Sequence, residues 1–481
     1  MLFNSLIFLL VFLPLTLAGY WCLAAWRRGS LVWLVVASFV YYGYYYRADH
    51  REYLAVFAGS IVLNFVLGAA IGFSTRPIAR KLWFVAGIVF NLGLLAYFKY
   101  SAMIVSTWLA IRGESTSVIP LVIPLAISFF TFQQLSYLVD VYQGQPPERS
   151  FAAYCLFVTF FPQLIAGPIV HHAEMLPQFR VPAWTRWSKI DLHFAVACFI
   201  VGLCKKVVVA DTLAQYVSPV YAEAASGALP TFWAGWTGTL AYTCQLYFDF
   251  SGYSDMAIGL GLLFGIRLPI NFNSPYQAVD IIDFWRRWHM TLSRFLRDYL
   301  YIPLGGNRHG AARRYLHLLI TMLLGGLWHG ADYCFAAWGL LHGMYLILNH
   351  MWNHWFPVSP GGASSIRIAL GRTLTFLAVV IGWVFFRAGN ESQGSAFATA
   401  AHVLQAMFRP SEFGAPDLVP LALIVAALAI CFFAPNPYQR PLARPYRSTV
   451  VVTALAVLCF GVILREALSQ QGYSEFLYFN F

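Results

Sequence analysis

The chain has 481 residues, of which 59% are hydrophobic and only 11% are charged, and its mean hydropathy is +0.64. A soluble domain has about 45–50% apolar and about 25% charged residues, so this composition excludes an ordinary water-soluble protein. The formal net charge of +11 does not indicate nucleic-acid binding, because no groove-reading module is visible. The basic residues lie in short loops between apolar runs, where they suit anionic headgroups, so the partner we expect is the lipid bilayer.

Apolar runs follow one another along the whole chain. A helix needs about 20 apolar residues to span a bilayer, and such runs do not read as the alternating strands of a barrel. We predict an all-α, polytopic transmembrane bundle of about 10–12 spans with re-entrant or interfacial helices, in a single domain over residues 1–481. No Lys or Arg precedes Arg27, so the first run lacks the charged start of a cleavable signal peptide. The runs are Met1–Trp26, Leu31–Tyr46, Tyr53–Phe73, Leu82–Phe98, Val118–Val139, Phe194–Val209, Phe232–Tyr247, Leu316–Leu327, Tyr333–Leu348, Ile366–Phe386, Leu418–Phe433 and Thr449–Leu464.

The stretch from about residue 247 to residue 343 places ionisable groups within membrane-scale sequence. Such groups are costly at membrane depth unless they are paired or line an aqueous cavity, so this stretch is the predicted catalytic core. Within it, Asp280–Tyr301 reads DIIDFWRRWHMTLSRFLRDYLY, which predicts a basic amphipathic helix, either an interfacial anchor or the wall of a cavity. The candidate ionisable residues are Asp249, Asp255, Asp283, His289, His329, Asp332 and His342.

His329 is the most suggestive candidate. It lies in LLGGLWHGADY, where glycines on both sides allow a backbone or a ligand to approach closely. An imidazole is the natural general base for a hydroxyl, and a structural histidine inside the bundle is the alternative interpretation. His289 could likewise assist proton transfer, orient a carbonyl or simply pack, and His342 is interpreted as structural.

Metal and cofactor motifs are weak in this sequence. His350 and His354 have the spacing of a zinc helix but lack its glutamate, and the eight cysteines form no C-x-x-C pair. We therefore predict no bound metal and no bound cofactor. The loop pair His171 and His172 leaves a metal or a substrate contact open.

Seven sequence strings together resemble the membrane-bound O-acyltransferase family, in particular its bacterial alginate and cellulose O-acetyltransferase branch. They extend from the N-terminal third to the last residue, so the resemblance covers most of the chain. The strings are PLAISFFTFQQLSYLVDVYQG (Pro124–Gly144), FFPQLIAGPIVHHAEMLPQF (Phe160–Phe179), YFDFSGYSDMAIGLGLLFGIRLPINFNSPY (Tyr247–Tyr276), FWRRWHMTLSRFLRDYLYIPLGGNR (Phe284–Arg308), LLGGLWHGADY (Leu323–Tyr333), WVFFRA (Trp383–Ala388) and FLYFNF (Phe476–Phe481).

The resemblance implies that His329 is catalytic and His289 is the second site residue, near the constriction of a central funnel. His329 would act as general base on the acceptor hydroxyl, and His289 could stabilise the oxyanion. Further polar residues are expected to support the site, namely Asp249, Ser251, Tyr253, Asp255, Asp283, Arg286 and Asp332.

The resemblance also implies a reaction across the bacterial inner membrane. The acetyl donor, acetyl-CoA, would arrive as a substrate from the cytoplasm, and the final acceptor would be an exopolysaccharide of the alginate or cellulose type. Periplasmic acetyl-acceptor or transferase proteins are the expected partners. Two alternatives remain open: D-alanyl transfer to teichoic acid, and a non-catalytic transporter or flippase with polar residues along its substrate path.

Overall fold

The computed structural model describes residues 1–114, 118–187, 190–308, 310–357, 364–391, 395–409, 415–434, 449–468 and 474–480. Over these ranges the regular structure is helical and no strand occurs, which confirms the all-α prediction. The last residue of the FLYFNF string, Phe481, lies outside them.

The chain divides into two compact units. The first unit comprises Met1–Cys204, Gly252–Pro269 and Ala443–Phe481, and the second comprises Lys205–Ser251 and Ile270–Leu442. One long helix, Phe232–Leu263, supplies residues to both, and the single membrane domain stays a prediction.

The first unit contains most of the N-terminal helices. Buried amides join two of them, because Asn64 and Asn91 donate to each other's side-chain oxygens over 3.2 and 2.6 Å. Such bonds hold apolar helices together where lipid gives little hydrophobic drive. The helices are Phe8–Phe12, Leu13–Cys22, Arg27–Tyr45, Glu52–Phe73, Pro77–Leu95, Ala96–Tyr100, Ser101–Ile111, Ile127–Tyr142, Phe151–Thr159, Phe161–Leu164, His172–Arg180, Trp184–Trp187, Leu192–Cys204, Thr449–Leu468 and Leu477–Asn480.

The second unit contains the predicted catalytic core up to Ser251 and from Ile270 onward. Several of its helices are short, and the region between residues 275 and 301 consists of brief helical pieces joined by turns. The helices are Lys205–Ala210, Asp211–Ala225, the first part of Phe232–Leu263, Pro275–Gln277, Ile281–Trp285, Met290–Leu296, Arg297–Tyr301, Gly310–His329, Tyr333–Trp355, Ser365–Ala388, Ala396–Phe408 and Leu418–Phe433.

Helices Gly310–His329 and Tyr333–Trp355 form a tight hairpin in this unit. A Cβ atom built on Gly326 would lie 2.2 Å from the Phe335 carbonyl oxygen, and one on Gly339 would lie 2.3 Å from the Met322 carbonyl oxygen. The two backbones therefore touch, which only glycine permits at these positions. This contact fixes the end of the first helix, where His329 lies.

Among the described residues, four helices are long and apolar enough to cross a membrane: Glu52–Phe73, Pro77–Ile111, Leu192–Ala225 and Ser365–Ala388. Their number is smaller than the predicted 10–12 spans, which included shorter and more polar runs. The full span count stays a prediction. The run predicted over Val118–Val139 begins as a helix only at Ile127, after prolines at 120 and 124.

The amphipathic helix predicted over Asp280–Tyr301 is wrong as a continuous element. It breaks after Trp285 and resumes at Met290, because His289 adopts a left-handed backbone with φ of 42°. A distant backbone group stabilises the break, since the Met290 N–H donates to the Asn271 carbonyl over 2.9 Å. The apolar spacing predicted the helical turns, but it could not predict this long-range backbone bond.

Candidate active site

The side-chain amide of Asn271 fixes the orientation of the His289 ring. Its Nδ1 lies 3.0 Å from Oδ1 of Asn271, and the Thr291 hydroxyl and backbone N–H donate to the same oxygen over 2.9 and 3.4 Å. A backbone N–H can only donate, so this Asn271 atom is the acceptor oxygen and His289 Nδ1 bears the proton. In the neutral ring, Nε2 is then the basic nitrogen.

The expectation that His289 donates to an oxyanion stays a prediction, and this tautomer bears on it. A neutral His289 fixed in this way accepts a hydrogen bond at Nε2, and only the protonated ring could donate there. Its side chain is fully buried, with the Phe250 ring edge-on at 4.7 Å. The geometry therefore suits proton acceptance better than oxyanion binding.

His329 is the last residue of helix Gly310–His329 and is buried. Its ring contacts three aromatic rings, with centroids 5.0 Å from Trp328, 5.3 Å from Trp338 and 5.0 Å from Phe386. The carbonyl end of a helix has a partial negative charge, which stabilises a cation. His329 lies at this end of its helix.

Two indoles bring three histidines together. The Trp328 ring contacts both His289, at 6.3 Å, and His329, at 5.0 Å. The Trp338 ring contacts both His329, at 5.3 Å, and His342, at 4.9 Å. We call these five residues the histidine–tryptophan cluster. The structure thus gathers both predicted catalytic residues and adds His342, which sequence reasoning had interpreted as structural.

Asp249 belongs to a buried ionic cluster in the second unit. Its Oδ1 lies 2.8 Å from Nζ of Lys206, which also lies 2.8 Å from Oδ1 of Asp211. Sequence reasoning missed Lys206 and Asp211, although a lysine pair inside the apolar run Phe194–Val209 is a signal that a buried anion is needed. Paired charges of this kind hold helices together, which is the supporting role that fits Asp249.

Two other predicted supporting residues have local structural explanations, and a third is exposed. Asp332 caps helix Tyr333–Trp355 by accepting from the Cys334 N–H over 2.7 Å. Asp283 accepts from Arg287 Nε over 2.8 Å, four residues along the chain. Arg286 is exposed.

The FDFSGYSD string is divided between the two units. Ser251 is buried in the second unit with Asp249, whereas Tyr253 and Asp255 are buried in the first. The Tyr253 ring packs against Phe3 and Phe476, each at 5.0 Å. A role of Ser251, Tyr253 and Asp255 in the site stays a prediction.

The possible substrate contact of the loop histidines His171 and His172 stays a prediction, and the structure places one of them beside a carboxylate. His172 Nδ1 lies 3.0 Å from Oδ2 of Asp140, and both side chains are largely buried. Among the described residues, no group of three or more His, Cys, Asp or Glu side chains could hold a metal ion. The absence of a bound metal or cofactor stays a prediction.

A sequence model described as the membrane-bound O-acyltransferase family matches residues 147–387. The chain is 42% identical to the peptidoglycan O-acetyltransferase of Helicobacter pylori, over 81% of this chain and 77% of that protein. It is 39% identical to the probable alginate O-acetylase AlgI of Pseudomonas putida, over the whole of both chains. It is 25% identical to the teichoic acid D-alanyltransferase of Streptococcus thermophilus, over 63% of this chain and 78% of that protein.

These matches include the region that folds into the histidine–tryptophan cluster, and two of the relatives exceed 35% identity over most of their length. They confirm the resemblance inferred from the sequence strings. The chain belongs to the membrane-bound O-acyltransferase family, and it is a membrane-bound O-acyltransferase.

Proposed function

We propose that this protein O-acetylates an exopolysaccharide of the alginate or cellulose type from within the bacterial inner membrane. It takes the acetyl group from cytoplasmic acetyl-CoA and passes it outward, to a periplasmic acceptor protein or to the polymer itself. Two kinds of relative support this proposal, because both are named for O-acetylation and both act on glycans by those names. The chain's match to the alginate relative extends over its whole length.

The observation on which the proposal rests is the pair of buried histidines that share the Trp328 indole. An acyl transfer to a hydroxyl needs a base at the reacting oxygen and a site that excludes water. His329 is 2% exposed and His289 is 0% exposed, so both are shielded.

In the proposed mechanism, His329 accepts the proton of the acceptor hydroxyl as its oxygen attacks the acetyl carbonyl carbon. The carbonyl π electrons move to the oxygen and form a tetrahedral intermediate. When this collapses, the C–S bond breaks, and the departing thiolate takes the proton from His329. The products are an acetyl ester and free thiol, and His329 returns neutral. His289, with Nε2 basic, accepts a hydrogen bond from a second hydroxyl of the acceptor and so orients the acceptor for attack.

The test is the acetyl content of the polymer in cells that lack the gene and are complemented with variants. His329→Ala should abolish acetylation while the protein accumulates normally in the membrane, since loss of a general base costs about 10²–10⁴ in rate. Acetate released from purified polymer by mild alkali is measured by mass spectrometry.

His317→Ala is the matched control on the same helix. His317 is buried and its Nδ1 donates to the Gly306 carbonyl over 3.0 Å, so its role is structural. Normal acetylation per molecule is expected from this variant. Normal acetylation by His329→Ala would contradict the proposal and favour the transporter alternative, in which the residue only lines a path.

D-alanyl transfer is the second candidate, because a teichoic acid D-alanyltransferase is also similar to this chain. Its identity is lower and its match covers less of the chain than those of the O-acetylation relatives. The same alkaline release distinguishes the two, since it would yield D-alanine in place of acetate.

A further inference from the structure

Buried hydrogen-bonding groups without protein partners collect beside His329. His342 and Trp338 are at most 1% exposed. Among the residues that the structure describes, neither ring nitrogen of His342 has a hydrogen-bond partner, and neither indole N–H of Trp285 and Trp338 has one. Each such group costs about 1–3 kcal/mol if it stays unpaired, and native proteins rarely leave several in one place. Their clustering therefore indicates a ligand.

These groups are close together. The His342 ring lies 4.9 Å from Trp338 and 5.3 Å from Trp285, and the two indoles are 5.8 Å apart. On the other side, a Cβ atom on Gly382 would lie 2.8 Å from His342 Nε2, so the missing side chain leaves that nitrogen facing bare backbone. We call His342, Trp285 and Trp338 the donor pocket. It adjoins His329, because Trp338 contacts both histidines.

The chemistry of the donor pocket selects the ligand. An indole N–H only donates, and a neutral imidazole adds one further donor. Five aromatic rings contact His342, namely those of Phe284, Trp285, Trp338, Tyr345 and Trp383. Such walls suit an uncharged acceptor of hydrogen bonds and disfavour a phosphate, which needs cations. A carbonyl oxygen fits both requirements.

We propose that the donor pocket binds the carbonyl oxygen of the acyl thioester during transfer. This assignment rests on the proposed function and names the groups that stabilise its oxyanion. When the hydroxyl attacks, the carbonyl π pair moves to this oxygen, and the N–H groups of His342, Trp338 and Trp285 stabilise the negative charge. The charge returns to carbon as the C–S bond breaks and the thiolate leaves. The fixed tautomer of His289 agrees with this assignment. A neutral His289 accepts a hydrogen bond at Nε2, so the N–H groups that stabilise the oxyanion come from the donor pocket.

The experiment uses the purified full chain in detergent, with acetyl-CoA and free CoA as probes. The wild type should bind acetyl-CoA at least tenfold more tightly than free CoA, because only the former presents a thioester carbonyl. His342→Leu and Trp338→Phe should lose most of that preference and lower kcat about 10²–10³, the effect of removing one oxyanion donor. His342→Gln keeps an N–H donor and should recover much of the rate.

Trp236→Phe is the matched control in the same unit. Its indole N–H donates to the Met407 carbonyl over 2.9 Å, so the variant loses a satisfied donor outside the pocket. It should leave both the preference and kcat unchanged. Thermal unfolding of each variant separates loss of binding from loss of fold, and Trp338→Phe retains a ring if His342→Leu does not fold.

The outcomes separate this inference from the proposed function. If the wild type prefers acetyl-CoA and the folded pocket variants keep the same preference, the assignment of the donor pocket to the thioester carbonyl is wrong, and only water fills the pocket. If the wild type shows no preference for acetyl-CoA, both the donor in the proposed function and the pocket assignment are overturned.

Discussion

Two buried polar regions of the second unit differ in how their groups are satisfied. In the ionic cluster, Lys206 lies 2.8 Å from both Asp211 and Asp249. In the donor pocket, the ring nitrogens of His342 and the indole N–H of Trp338 have no hydrogen-bond partner among the described residues. Since burial without a partner is costly, the first arrangement is stabilised by its own opposite charges, whereas the second requires a ligand. The buried ionic cluster therefore stabilises the fold, whereas the buried donor pocket serves to bind a ligand.

The comparison explains why residue type alone is a poor guide to function. Aspartate at membrane depth suggests catalysis, yet Asp249 is balanced by a lysine. Tryptophan suggests packing, yet Trp338 contacts two histidines and has a buried, unpartnered N–H among the described residues. Substitutions in the two regions should therefore fail in different ways.

Lys206→Met should produce the largest loss of stability. Removing the cation leaves two carboxylates buried without compensation, and breaking a buried ion pair costs about 3–5 kcal/mol. The measurement is the free energy of unfolding in mixed detergent micelles. Combining Lys206→Met with Asp211→Asn and Asp249→Asn should recover most of this loss. If the single and triple variants were equally unstable, the ion pairs of Lys206 would not be what stabilises this region.

Gly326→Ala tests the helix hairpin that positions His329. Its Cβ atom would lie 2.2 Å from the Phe335 carbonyl oxygen, so the helices must separate, at a cost of about 1–3 kcal/mol. Gly325→Ala is the matched control, because its Cβ atom would meet only the end of the Leu296 side chain at 3.0 Å. Unfolding temperature and membrane accumulation of the two variants are compared. Equal stability would contradict the tight hairpin.

Asn271→Ala tests whether the tautomer of His289 matters. Loss of the acceptor frees the ring and should lower kcat about tenfold, equivalent to about 1.4 kcal/mol. Asn271→Asp keeps an acceptor at the same position and should restore most of the rate. The pH dependence of kcat is measured for both, because a carboxylate beside the ring favours the imidazolium and should move the profile to higher pH. An unchanged rate for the alanine variant would exclude a positioning role.

Gly382→Ala should have the smallest effect. The new methyl group would press on His342 Nε2 at 2.8 Å, and the imidazole can rotate away at little cost in stability. We expect a decrease in kcat of a few-fold to about tenfold with an unchanged unfolding temperature. An unchanged kcat would show that the orientation of His342 does not affect catalysis.

The sequence predicted the membrane class, the helical fold and the identity of His329 and His289 as site candidates. The membrane class and the helical fold are confirmed, because a long apolar run is a local signal that is visible without the fold, whereas the catalytic roles of His329 and His289 stay predictions. The division of the chain into two compact units was not predicted, because the first unit takes in residues 252–269 and the C-terminal segment as well as the N-terminal helices.

What the sequence could not predict depends on contacts between distant residues. The break at His289 is imposed by Asn271, and the partner of Asp249 comes from another helix, at Lys206. Nothing in the sequence indicates that His342 lies beside Trp285, because that proximity exists only once helix Ile281–Trp285 packs against helix Tyr333–Trp355. Such pairings have no periodic signature, and they decide which buried groups are satisfied.

The most direct test of the central claim measures two quantities on purified His329→Ala and Lys206→Met: the free energy of unfolding and the acetyl-transfer rate per folded molecule. The account predicts that His329→Ala keeps wild-type stability and loses about 10²–10⁴ in rate, whereas Lys206→Met loses stability and keeps most of its rate per folded molecule. A His329→Ala protein that transfers acetyl groups at the wild-type rate would contradict the account.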